Sequence, residues 1–328
     1  MWGAFFPGQG SQSIGMGKFL YEQFPLAKQR FEEASDILKI DFKKLCFEGP
    51  DTALAMTENA QPALLLVSTT CYDILFDNTG VKIHGGSGHS AGEYSALVCA
   101  GVLDRKDALR AVRTRGIAMQ KAVPIGEGAM LAVLGLHDTQ VKELCKWAEE
   151  SSDWRPLEAA NFNSPGQVVI SGSAIGIAWL MQNLTSPNLQ EAFPDFPRIK
   201  AIPLKVSAPF HCSLMKPAED EMRRVLAPIL FSESKWRVVQ NYAGKVLLDS
   251  NKVREHLIKQ ITAPVLWTAC VQRLLRMGCD NFIEFGSGRV LSGLAKKIDS
   301  SGINTFNMNN LDEWNVLEQK IKASNLVH

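Results

Sequence analysis

The chain has 328 residues, enough for one large domain or two unequal ones around a sizeable core. With 46% hydrophobic and 21% charged residues, its composition is that of an ordinary globular protein. A formal net charge of +1 excludes a strong electrostatic grip on nucleic acid or an anionic membrane surface.

A first strand is read at Trp2–Phe6, running into the turn Pro7-Gly8-Gln9-Gly10-Ser11-Gln12. A glycine-rich turn at the carboxyl end of a strand presents backbone N–H groups where ligands sit in open α/β sheets. The turn lacks the Gly-Lys-Ser/Thr ending of a P-loop and the spacing of a dinucleotide fingerprint, so nucleotide phosphate binding is not expected. Helical periodicity follows over Leu20–Leu38 and Gln61–Phe76. The longest apolar runs, Pro62–Val67 and Ala129–Leu136, are too short to span a membrane. The amino terminus shows no basic segment followed by a long apolar one, so no secretion signal is expected.

Lys82–Gly86 reads as a strand in which two glycines replace the expected β-branched residues. It leads into Gly88-His89-Ser90-Ala91-Gly92-Glu93, and a helix is expected over Gly92–Ala100. A serine flanked by glycines two positions away on each side is what a nucleophile elbow requires, because only glycine lets neighbouring backbone pass close to the protruding hydroxyl. A long helix is predicted over Arg105–Ala122, N-capped by Asp104. Ala108, Val112, Met119 and Ala122 mark its apolar stripe; Arg115 falls on that stripe, whereas Arg113 does not and is assigned to solvent. A guanidinium on a buried face needs an anion, either an Asp or Glu of the chain or a substrate carboxylate held bidentately.

The middle of the chain reads as strand Ala129–Leu136, helix Asp138–Glu150, strands Leu157–Phe162 and Gln167–Ser171, helix Ala174–Leu184 and strand Ile199–Val206. The turn Asn163-Ser164-Pro165-Gly166 joins the paired strands. That βαββαβ order is the ferredoxin-like pattern. Strand and helix then alternate again: Arg237–Asn241, the helix Val265–Met277, strand Asn281–Phe285, the loop Gly286-Ser287-Gly288, the helix Val290–Ile298 and a terminal helix over Leu311–Ala323.

A serine nucleophile needs a general base. Of six histidines, His211 follows Ser207-Ala208-Pro209-Phe210 where the chain returns from the small unit to the large one, and a cleft between two such bodies is a natural site. His89 adjoins Ser90 and should point away from it, His137 starts a surface helix, His256 lies in a charged stretch and His328 is terminal; His84, before the elbow, remains an alternative. The cysteines at 46, 71, 99, 145, 212, 270 and 279 show no C-x-x-C pair, which reads as reduced thiols in a cytoplasmic protein and not as a disulfide frame or a metal site. Cys212, beside His211, is either a thiol nucleophile or a small buried apolar residue, and the second reading is preferred. The backbone N–H of Ala91 supplies one oxyanion donor, and the Gln9-Gly10 turn can supply a second.

Taken together, the segments Phe6 to Gln12, Gln61 to Leu65, Gly88 to Glu93, Arg115-Gly116 with Met119-Gln120, Asn161 to Gln167, Val206-Ser207 with His211, and Glu284 to Gly288 resemble the malonyl-CoA:acyl-carrier-protein transacylases of the free-standing bacterial type. They run in that family's order across nearly the whole chain. The resemblance implies Ser90 as acylated nucleophile, His211 as base, Gln9 and Ala91 as oxyanion donors and Arg115 as the holder of the malonyl carboxylate. It also implies that the backbone of Gln260 orients His211 and that Gln61 lines the acyl pocket. Three positions depart from the family. Ala91 stands in place of leucine, which should slightly reshape the pocket. Ser287 stands in place of proline, which should loosen its loop. Phe210 replaces a small residue, and its ring should leave little room for an α-substituent.

The expectation is an α/β protein: a large α/β-hydrolase-like domain with a parallel sheet (1–127 and 204–328) and an inserted ferredoxin-like subdomain (128–203). The expected activity is ping-pong malonyl transfer from malonyl-CoA to the phosphopantetheine thiol of acyl carrier protein, feeding fatty acid synthesis, with no cofactor and no metal. The alternatives are a free-standing acyltransferase of a polyketide pathway, a serine thioesterase or esterase, and a non-catalytic scaffold that binds carrier protein.

Overall fold

A computed structural model describes residues 1–325; His328 lies outside the described residues. Along β1 (Trp2–Phe6), Trp2, Ala4 and Phe6 enter one buried layer while Phe5 enters another. A strand that feeds apolar side chains to both faces belongs inside a doubly covered sheet. β1 accordingly lies centrally, parallel to β2 (Ile83–Gly88) on one flank and to β9 (Asn281–Glu284) on the other. β10 (Asn304–Asn307) continues the parallel pairing beyond β9, and β7 (Arg237–Gln240) continues it beyond β2. The short β8 (Lys245–Val246) closes that edge as an antiparallel hairpin, giving the order β10-β9-β1-β2-β7-β8. On one face Phe5 stacks on Phe282 at 4.4 Å and meets Trp267 edge-on at 5.3 Å. On the other, Phe6 lies parallel to Trp236 and Phe285.

β2 has almost no strand-forming side chains, yet it sits beside the centre and runs two residues past its expected end. A Cβ on Gly86 would lie 2.8 Å from the Ala4 carbonyl and 2.9 Å from the Trp236 ring. The position admits only hydrogen, so close packing of the layers overrides intrinsic propensity there.

The second sheet is antiparallel, with β3 (Gly128–Leu134), β4 (Leu157–Ser164), β5 (Gln167–Ser173) and β6 (Lys200–Pro203) in the order β4-β5-β3-β6. Helices Asp138–Ser152 and Ala174–Asn183 supply the two crossovers of the βαββαβ order. The unit has its own core, in which Leu131, Val133 and Ile170 of the strands pack with Val141 and Leu144 of the first helix. β4 runs on to Ser164 because only Pro165 and Gly166 turn the chain, Gly166 at φ 73°, and β5 is two residues longer at its far end, reaching Ser173. The segment Val265-Leu266 joins the two sheets: the N–H and carbonyl of Val265 bond Ala160 O and Phe162 N at 2.9 Å each, and Leu266 N donates to Asn241 O, just past β7, at 3.1 Å.

Several expected elements change. The predicted helix Leu20–Leu38 is two, Lys18–Gln23 and Pro25–Leu38, with Phe24 extended at φ −124°, ψ 121°. Proline disfavours helical geometry in the residue before it, and Pro25 opens the second helix where its missing N–H costs nothing. The helix expected from Val265 starts at Trp267, because Val265 is committed to β4. The strand expected over Ile199–Val206 shrinks to β6. Helices Phe42–Phe47, Asp51–Ala55, Pro187–Ala192, Lys216–Leu226 and Ser250–Lys259, and strands β8 and β10, were not anticipated. Arg113 does not face solvent freely: it donates to Glu58 O and pairs with the Glu58 carboxylate at 3.3 Å. Nor is the Ser287 loop loose, since Ser287 Oγ lies 3.0 Å from Ser13 Oγ and Gly288 N donates to Asn309 Oδ1 at 2.8 Å. Among the described residues no helix is long and apolar enough to cross a membrane.

Candidate active site

β2 ends at Gly88 and the helix Gly92–Cys99 begins four residues later, which forces Ser90 into left-handed backbone at φ 53°. A Cβ on Gly88 would lie 1.9 Å from Gly92 O, and one on Gly92 would lie 2.1 Å from Phe6 O. The chain therefore crosses itself and β1 at contact distance, and the serine hydroxyl is thrown outward. The strained turn is held from below: Ser90 N donates to Asn241 Oδ1 at 2.8 Å, and His89 N donates to Phe6 O at 2.9 Å.

His211 follows the turn Ser207–Phe210 and also has positive φ, at 60°. Its Nε2 lies 2.7 Å from Ser90 Oγ, and its Nδ1 lies 2.8 Å from the backbone carbonyl of Gln260. A carbonyl can only accept, so Nδ1 carries the proton and the Nε2 lone pair faces the serine hydroxyl. Burial and the neighbouring Arg115 charge push His211 down to about 3, which keeps the ring neutral and able to accept.

Arg115, on the helix Arg105–Lys121, is 1% exposed. Its Nη1 donates to Gln61 Oε1 at 2.9 Å, and its Nη2 donates to Gln260 Oε1 at 3.0 Å and to Ser90 Oγ at 3.1 Å. Nε is buried without a partner. All three partners are neutral, so the buried cation has no carboxylate bonded to it.

The amides of Gln9 and Ala91 donate to no other group among the described residues, and both residues line the cleft above Ser90. Gln61, Arg115, Phe210 and His211 line the same cleft, with Met130 and Asn161 entering from the antiparallel sheet. Every residue singled out from the sequence for the site thus converges on one place, Gln260 directly beneath it.

Two residues were missed. Asn241, just past β7, accepts from Ser90 N and donates through Nδ2 to Gly88 O at 2.8 Å. Glu93, 0% exposed, accepts from Asn241 N and Gln260 Nε2 at 2.9 Å each. A lone acid in the otherwise apolar helix GEYSALVC was a usable signal for Glu93. Nothing in sequence marks Asn241, whose role exists only after β7 has paired with β2.

The other candidates supply neither base nor nucleophile, although His89 lines the same cleft. His89 Nε2 points to Asn163 Oδ1 at 2.8 Å, away from the nucleophile. His137 N-caps a helix, and the ring of His256 packs edge-on against Tyr242. Cys212 is buried with its thiol on Pro209 O, and burial pushes it up to about 11, which rules out a thiolate nucleophile at neutral pH. Among the described residues no cluster of His, Cys, Asp and Glu is placed to hold a metal ion.

Residues 5–291 match the family model of the acyl transferase domain, which sets the chain among the acyltransferases. It is 43% identical over 294 residues to the malonyl CoA-acyl carrier protein transacylase of Bacillus subtilis, covering 90% of this chain and 89% of that one. The crystal structure of the corresponding transacylase from Clostridium perfringens superposes with a TM-score of 0.90 at 35% identity, covering 99% and 98% of the two chains. A malonyl-transacylase solved in complex with its type II PKS acyl-carrier protein superposes with a TM-score of 0.89 at 38% identity, covering 97% and 99%. The chain belongs to the malonyl CoA-acyl carrier protein transacylase family.

Proposed function

We propose that this enzyme transfers the malonyl group of malonyl-CoA to the phosphopantetheine thiol of acyl carrier protein through a malonyl ester of Ser90. Ser90 Oγ attacks the thioester carbonyl as its proton passes to His211 Nε2. The tetrahedral oxyanion forms between the N–H groups of Gln9 and Ala91, where each donor typically contributes about 100-fold or more in rate. Collapse expels the coenzyme A thiolate, which takes the proton from His211. In the second half the carrier thiol gives its proton to His211 and attacks the ester, and Ser90 leaves with that proton.

The observation that carries this reading is Arg115, a buried guanidinium within reach of the nucleophile that has only neutral partners. It suits an acyl group ending in a carboxylate, which a neutral-ester hydrolase would not need. Gln61 and Gln260 hold the guanidinium, and the Phe210 ring narrows the cleft against a branched acyl chain. We take residues 128–203 as one inserted unit whose strands form the second wall of the cleft, between the halves 1–127 and 204–328. The seven buried free cysteines suit a reducing, cytoplasmic setting.

Fatty acid synthesis is the pathway supported by the relatives, and the likeness to a type II PKS transacylase gives polyketide synthesis a second place. Intact-mass measurement after incubation with malonyl-CoA tests the chemistry: a malonyl adduct is expected on the natural chain and not on Ser90→Ala. An unmodified natural enzyme at saturating malonyl-CoA overturns the reading. Transfer from the loaded enzyme to each type of carrier protein then separates the pathways.

A further inference from the structure

Glu93 is a buried acid that the reaction just described does not use. Its Oε2 accepts from Asn241 N and Gln260 Nε2, while its Oε1 has no partner. Arg115 acts on it through space and gives its own hydrogen bonds to Gln61, Ser90 and Gln260. Gln240 lies alongside: its Nε2 donates to Val253 O at 3.1 Å, its amide also acts on Glu93 as a weak donor, and its buried Oε1 has no partner. Turning that amide over would set its oxygen against the Val253 carbonyl, two acceptors with no proton between them. Two neighbouring side chains thus each bury an acceptor that lacks a donor, and a buried unsatisfied acceptor is costly.

We propose that Glu93 is a positioning residue that works as a neutral carboxylic acid, with its proton on the partnerless Oε1 and its Oε2 anchoring Asn241 and Gln260. Burial pushes the group up to about 7, in keeping with that state. The anchored partners hold the reacting groups. Asn241 fixes Ser90 N, Gln260 Nε2 donates to Ser90 O at 3.1 Å, and the Gln260 carbonyl orients His211. One carboxyl group therefore sets nucleophile and base together.

Its neutrality has a second effect, which rests on the reading of Arg115 as the malonyl clamp. An ionised Glu93 would partly offset the guanidinium and weaken its hold on the substrate. The other titratable groups whose charges interact with Glu93 are Tyr94 on its own helix and Cys270 on the helix Trp267–Arg276, both neutral at physiological pH because burial raises them. His211, reached through Gln260, is neutral as well.

The test compares Glu93→Ala and Glu93→Gln by rate of malonyl loading, KM for malonyl-CoA against pH, and infrared spectroscopy. Glu93→Ala should slow loading by roughly tenfold or more, since two buried donors lose their acceptor. Glu93→Gln, which keeps the acceptor and supplies a donor, should restore loading to within about threefold of the natural enzyme. In the natural enzyme KM should rise between about pH 6 and pH 9 as Glu93 ionises, and Glu93→Gln should flatten that rise. The natural enzyme near pH 6 should also show the carbonyl band of a protonated carboxylic acid, absent from Glu93→Gln. Glu93→Gln loading as poorly as Glu93→Ala, or a natural enzyme without that band, overturns the proposal. Failure of the natural enzyme to load malonyl would instead strike at the transferase reading, and the infrared band still judges Glu93.

Discussion

Arg115 Nη2 lies 3.1 Å from Ser90 Oγ, so the cation assigned to the substrate also touches the nucleophile. Under the proposed function the contact couples acyl selection to attack, because a carboxylate drawn to Arg115 is delivered beside the atom that must react with the other end of the same acyl group. It also sets a positive charge whose hydrogen-bond partners are all neutral beside the base.

Removing that charge should invert acyl preference. Arg115→Ala is expected to lower kcat/KM for malonyl-CoA by about 100-fold or more, the loss of a buried charge-assisted pair. Loading from acetyl-CoA should improve, since the neutral acyl group no longer shares a pocket with a buried cation. Arg115→Lys should recover only part of the malonyl activity, because an ammonium cannot bind the carboxylate bidentately. Loading rates with the two thioesters check this, and an unchanged malonyl preference in Arg115→Ala would remove the clamp from the mechanism.

The same variant should change the pH profile. His211 is held at about 3 by burial and then by Arg115, so in the natural enzyme activity should persist well below the ordinary histidine range. Without the guanidinium the imidazole binds its proton more readily, and the acid limb of kcat/KM should move to higher pH. A limb that stays in place would show that burial alone sets the basicity of His211.

Glu93 makes a separate prediction about stability. Its folded value of about 7 lies above the ordinary 4.5, so its favourable contribution is complete below about 4.5 and is lost as pH rises through about 7. Relative to Glu93→Gln, the natural enzyme should weaken across that window by up to roughly 3 kcal/mol. Urea midpoints of the two proteins at the two ends of the window measure it. Curves that remain parallel with pH would mean that Glu93 is already ionised where the chain is folded.

The elbow should be intolerant of a single methyl group. In Gly92→Ala the new Cβ would sit 2.1 Å from Phe6 O, against backbone that β1 holds in the sheet centre. Relief requires moving the helix Gly92–Cys99 away from β1, with a cost of about 3 kcal/mol or more and the loss of the Ser90–His211 contact. Thermal unfolding combined with malonyl loading checks both effects.

How far these features could be read in advance depended on how local their causes are. The elbow, the Arg115 stripe and the βαββαβ order are written in short-range spacing, and they were legible. Gly85 and Gly86 weaken the strand signal of β2 because their reason lies in distant neighbours, Met277 and Leu274 against Gly85, and the Trp236 ring and the Ala4 carbonyl against Gly86. Phe24-Pro25 was an available local signal for breaking the first helix. Asn241 and the side chain of Gln260 could not be found, since each reaches the reacting groups through partners more than a hundred residues away: 151 separate Asn241 from Ser90, and 145 separate Gln260 from Arg115. Polar residues with such partners look in sequence like any other turn or helix-end residue.

The junction through which Val265 bonds Ala160 and Phe162 bears on how the enzyme comes alive during folding. Ser90 and His211 are 121 residues apart, and the whole antiparallel sheet is threaded between them. The elbow needs only β1 and β2, whereas the base lies beyond all four strands of the antiparallel sheet and must close a loop of 121 residues to reach it. Long-range closure of that kind is slow compared with local helix formation. Competence to accept an acyl group is therefore a late milestone, and its return after denaturation reports the joining of the two sheets and not the formation of either.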